Sequence, residues 1–110
     1  MHNSFRQNVL LPLGEKNFAR LLRAAGYGRL EDVQVTDTGR DLYKSMIAFA
    51  RGVEQCRRLV GTLDKSVTGP LLYNFGIKDP AEAENAKALT ELHETLKAAV
   101  EKKATAGATA

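Results

Sequence analysis

Leu42, Met46, Phe49, Val53, Cys56, Val60 and Leu63 follow one another at alternating intervals of four and three residues. That spacing holds an apolar line on one side of an α-helix, as at the a and d positions of a coiled coil, and a strand period of two cannot accommodate it. A helix over about residues 37–63 follows. Thr36 or Asp37 opens it, since either side-chain oxygen can take up unpaired amides of a first turn. At ~1.5 Å rise per residue the apolar seam is ~30 Å long, so other parts of the chain must cover it.

Two further segments supply cover. Phe18, Leu21, Leu22 and Ala25 recur at the spacing of one helix face, which predicts a helix over 14–25 that ends at Gly26 and Gly28. Asp79, Pro80 and Glu82 combine a capping carboxylate, a proline suited to a first helical position and a negative charge at the positive end of the helix dipole. They predict a last helix over 79–103, with Leu89, Leu92, His93 and Leu96 on its inner side. Between the first two helices Val33 and Val35 alternate with polar residues, as in a short extended piece. Between the last two, Gly69 and Pro70 predict a break. The connector 66–78 is nonetheless rich in apolar residues: Leu71, Leu72, Tyr73, Phe75 and Ile77. No internal repeat is apparent. The expected fold is all-α: a small bundle of three main helices with a long central one, forming one domain over 1–103, with a flexible tail at 104–110.

The opposite side of the central helix is cationic. At ~100° per residue, Arg40, Lys44, Arg51, Arg58 and Lys65 fall within about a 60° sector away from the seam. The net charge of +3 is small, but every arginine lies at or before Arg58. A phosphate backbone or an acidic protein face would bind such a stripe. A solvated helix exterior has the same composition.

Catalytic constellations are sparse. The histidines, His2 and His93, lie far apart in the chain, so no pair stands at metal-ligand spacing. Neither the P-loop pattern nor the dinucleotide fingerprint occurs. Cys56 and His93 form the sole nucleophile and base combination, and the seam position of Cys56 predicts a buried, inert thiol. With one cysteine there is no internal disulfide. No apolar run approaches the ~20 residues needed to cross a bilayer.

These features predict a cytoplasmic, non-enzymatic protein without metal or cofactor that works by protein–protein association, as an assembly component or regulator. A seam longer than a short first helix can cover predicts self-association into a homo-oligomer. The segment Leu71, Leu72, Tyr73, Phe75 and Ile77 is the expected protein interface. The small size and the lack of catalytic groups fit a virus-encoded or mobile-element component. The alternative is a nucleic-acid-binding module that uses Arg40, Lys44, Arg51, Arg58 and Lys65. No membrane association is expected.

Overall fold

The seam does form one helix. A computed structural model describes residues 2–109, the last five by backbone alone. In it Asp37–Thr62 is a continuous α-helix. Met46, Phe49, Val53, Cys56 and Leu63 are buried, and Leu42 and Val60 are half-buried. The Thr36 hydroxyl accepts the Gly39 N–H at 3.2 Å and so caps the helix start. The fold class is all-α as expected, about 81% helical, with no strand among the described residues. The three-helix plan, however, becomes five.

We label them in chain order. Helix α1 covers residues 2–13: an α-helical start His2–Phe5, a π-turn Arg6–Leu10 and an α-helical end Leu11–Leu13. Then come α2 (Glu15–Ala24), α3 (Asp37–Thr62), α4 (Lys65–Asn74) and α5 (Ala86–Thr109). Short 3₁₀ turns stand at Leu30–Asp32 and Pro80–Glu82.

Three expectations change here. The connector 66–78 is largely helix α4, with Pro70 inside it. Proline at that position removes one intrahelical donor. The loss falls at exposed Ser66, where water can serve the carbonyl. The last helix does not begin at 79. Asp79 accepts the Ala81 N–H at 2.9 Å and caps a 3₁₀ turn, the chain extends at Ala83, and Asn85 makes the effective cap by accepting the Ala88 N–H at 2.9 Å. Finally, α5 runs to Thr109, through most of the expected tail. Ala110 lies outside the described residues.

The chain divides into two compact units, Met1–Arg51 and Gly52–Ala110, with the boundary inside α3. Each unit carries the same course: helix, break, second helix, glycine turn, 3₁₀ turn, extended residue, capped helix. The backbone hydrogen bonds correspond at a shift of 50 residues. Ala25 to Leu22, Gly26 to Arg23, Tyr27 to Leu22, Asp32 to Arg29 and Val33 to Leu30 are matched by Phe75 to Leu72, Gly76 to Tyr73, Ile77 to Leu72, Glu82 to Asp79 and Ala83 to Pro80. Gly26 and Gly76 both hold positive φ, at 94° and 72°, the left-handed conformation that closes a helix end at little cost only for glycine. The two units therefore repeat one course of local structure, with few identical residues between them.

The cores match as well. Leu13, Phe18, Leu22, Leu30, Val33 and Met46 of the first unit correspond to Leu63, Thr68, Leu72, Pro80, Ala83 and Leu96 of the second, all buried. Before Leu13 the correspondence shifts by one residue: Phe5 pairs with Cys56 and Arg6 with Arg57. The π-turn in α1 accounts for the shift, because a wider turn holds an extra residue.

Candidate functional site

The five apolar connector residues divide between inside and outside. Helix α4 turns Leu72 into the core at 8% exposure, and the Leu72 carbonyl accepts both the Phe75 and Ile77 N–H groups. Leu71, Phe75 and Ile77 are half-buried. Tyr73 is 81% exposed, which leaves a large amphipathic ring in water at the end of α4.

Beyond Tyr73 the turn borders a cleft of about 280 Å³ lined by Phe75, Gly76, Ile77, Glu82, Ala83, Glu84 and Ala88. One lining residue is smaller than its counterpart in the first unit. Val33 fills its position in the first unit at 1% exposure, whereas Ala83 fills the same position in the second without the two γ-methyl groups. Phe75, Ile77, Ala83 and Ala88 are apolar; Glu82 and Glu84 bring carboxylates; no lining residue is basic. A second, larger cleft of about 440 Å³ lies among Leu63, Asp64, Ser66, Val67, Ala99, Lys102 and Lys103. Its charges are mixed, and the Lys103 ammonium is tied to the Thr62 carbonyl at 2.7 Å.

One ion pair holds the start of the 3₁₀ turn whose Glu82 lines the first of these clefts. Arg57 grips Asp79 through two bonds, Nε to Oδ1 at 3.1 Å and Nη2 to Oδ2 at 2.8 Å, a fork that fixes both side chains. Burial by itself would raise the Asp79 carboxyl. The bonds from Arg57 and the Ala81 N–H outweigh it and hold the carboxyl below its ordinary value. In the first unit the corresponding arginine, Arg6, reaches Glu31 through one bond at 3.2 Å. There His2 adds a second tie, its Nε2 donating to the Val33 carbonyl at 2.7 Å.

The cationic residues keep their exposure but not their single helix. Arg40, Lys44, Arg51 and Arg58 lie exposed on α3. Lys65 is exposed as well, but it begins α4 after α3 has ended, so the seven-residue rhythm does not continue along one rod to Lys65. Arg40 is paired with Asp37 at 3.5 Å.

Burial pushes the Cys56 thiol up to about 11, so it is protonated and weakly nucleophilic at neutral pH. No hydrogen bond joins it to His93 among the described residues. No group of three or more histidine, cysteine or carboxylate side chains could hold a metal ion among the described residues. No helix among them is long and apolar enough to cross a membrane. The cleft itself was not legible in the sequence, because Glu82, Ala83 and Ala88 read there as parts of one helix. Their only signal was the run of small residues around Pro80. No protein-family model, curated protein or solved structure matches the chain.

Proposed function

We propose that the chain is a non-enzymatic protein-binding module whose second unit docks a protein partner at the end of α4 and the turn that follows. The exposure of Tyr73 carries this reading. Tyrosine is enriched among residues that dominate interface energies, since one ring buries much apolar area and still offers a hydroxyl. Half-buried Phe75 and Ile77 extend the apolar surface toward the adjoining cleft. The weakly nucleophilic Cys56 thiol agrees with a role that needs no chemistry. Five of the seven seam residues are buried within the single chain, and Leu42 and Val60 are half-buried. Self-association therefore rests on this same face.

The test is a photo-crosslinking phenylalanine analogue placed at Tyr73, and separately at exposed Thr38, in the native host. A discrete protein adduct formed from position 73 and not from 38 is the expected result. No adduct at 73, or the same adducts from both positions, would overturn the proposal.

A nucleic-acid reading has one observation of its own: Lys44, Arg51 and Arg58 are exposed and make no ion pair among the described residues. It requires affinity that falls steeply with salt, because each neutralised phosphate releases counterions. It also requires that Arg51→Glu and Arg58→Glu weaken binding while Tyr73→Ala does not.

A further inference from the structure

The turn beside this cleft has a counterpart in the first unit, and the contrast between the two turns indicates what the cleft accepts. In the first unit Asp32 occupies the position equivalent to Glu82. Its carboxylate is spent internally: it accepts the Arg29 N–H at 3.2 Å and lies 3.8 Å from the Arg29 guanidinium. In the second unit Asp79 performs the capping, accepting the Ala81 N–H and holding Arg57. Glu82 is released from that task and makes no hydrogen bond or ion pair among the described residues. It stands at the cleft instead, with Glu84 as a second carboxylate. At the same time the smaller Ala83 takes the position of Val33, both of them buried. In the second unit the free carboxylate of Glu82 therefore stands beside apolar lining residues.

We infer that this cleft receives an apolar side chain of a partner polypeptide flanked by lysine or arginine. The inference rests on the protein-binding reading above and specifies the chemistry of the partner. Charge complementarity selects the flanking residues, because Glu82 offers a free carboxylate at the cleft and no lining residue is basic. A cleft of about 280 Å³ has room for one side chain of a docked polypeptide. The apolar wall formed by Phe75, Ile77, Ala83 and Ala88 suits an aliphatic group such as leucine.

The experiment uses the full chain, ¹⁵N-labelled, titrated with the peptide acetyl-GSRLLRSG-amide. Two control peptides replace the leucines by serine or the arginines by glutamate. The expected result is a saturable shift of the amides of residues 75–77 and 82–88, with affinity at least about tenfold weaker for either control and for the Glu82→Lys variant. Titration extends to about 1 mM, where a contact worth only about 4 kcal/mol is half-saturated. No shift at those amides overturns the inference. So does equal binding of the glutamate control, or shifts spread over acidic residues throughout the chain. Glu82 is exposed, so the variant is expected to fold, and its unperturbed amide spectrum outside the cleft verifies that. Crosslinking from position 73 separates the two levels. If the adduct persists in Glu82→Lys, the partner chemistry inferred here is wrong while the protein-binding reading stands; if no adduct forms from position 73 in either background, the broader reading fails.

Discussion

The first unit builds its core around aromatic rings, and the second builds the same backbone without one in its buried interior. Phe5 packs edge-on against Tyr43, with centroids 4.9 Å apart, and against Phe18 at 6.4 Å. In the second unit Cys56 and Thr68 take the places of Phe5 and Phe18, and Val53, Leu89, Leu92 and Leu96 supply the bulk. Yet Ala25 and Phe75, which close α2 and α4, share nearly the same backbone angles, φ −86° with ψ −2° and −1°. The turn is thus specified by local hydrogen bonds and a positive-φ glycine, while the core needs only enough apolar volume. The turns also differ in surface: in the first unit Asp32 is engaged by Arg29, whereas in the second Glu82 stands free beside a cleft.

The largest expected effect bears on this contrast of cores. Phe5→Ala removes a fully buried ring and is expected to cost about 3–5 kcal/mol. Cys56→Ala at the equivalent position removes a single sulfur and is expected to cost about 1 kcal/mol. Urea unfolding of the two variants measures both. Similar losses would break the correspondence of Phe5 with Cys56 and with it the claim that the π-turn holds an extra residue.

The next effect tests sameness instead of difference. Gly26→Ala and Gly76→Ala each force a Cβ into positive φ, at about 1–2 kcal/mol. Neither position has an atom within 4 Å of the added carbon, so backbone strain is the whole cost and the two losses should agree. A clear inequality would show that the turns are alike in outline only.

The seam and the first glycine stop were legible because each is carried by residues at fixed intervals: Leu42 to Leu63 by helical spacing, Gly26 by its place after Leu21 and Leu22. The shared course of the two units was not. Over 13–50 against 63–100 the identities are Leu13 and Leu63, Leu21 and Leu71, Leu22 and Leu72, Gly26 and Gly76, Leu42 and Leu92, and Ala48 and Ala98, whereas Leu30 stands against Pro80, Phe18 against Thr68 and Val33 against Ala83. Backbone hydrogen bonds display what side chains do not. Proline misled twice for one reason. Pro70 was read as a break and Pro80 as the start of a long helix, but a proline only removes a donor and fixes φ. Whether a helix survives depends on whether the orphaned carbonyl reaches water, a tertiary fact. The candidate interface was half legible: Tyr73, Phe75 and Ile77 were recognisable as apolar excess, while the carboxylates that give the face its partner chemistry lay in what looked like an ordinary helix start.

The smallest effect concerns the two arginine braces. Asp79→Asn keeps an oxygen to accept the Ala81 N–H but discards the charge that Arg57 grips. Because both side chains remain more than a third exposed, the loss at neutral pH is expected to stay below about 1 kcal/mol. Its pH dependence identifies its origin. The folded-state pKa of Asp79 is depressed, so the stabilisation is complete above the ordinary carboxylate value of 3.8 and disappears as pH falls through the lower folded value. The stability gap between the natural chain and Asp79→Asn should therefore be constant from neutral pH to about pH 5 and close below pH 4. Glu31→Gln in the first unit removes a single-bonded, more exposed partner and should open a smaller gap. If the Glu31 gap equals or exceeds that of Asp79, the forked Arg57 brace is not what fixes the second turn, and the freedom of Glu82 must have a different cause.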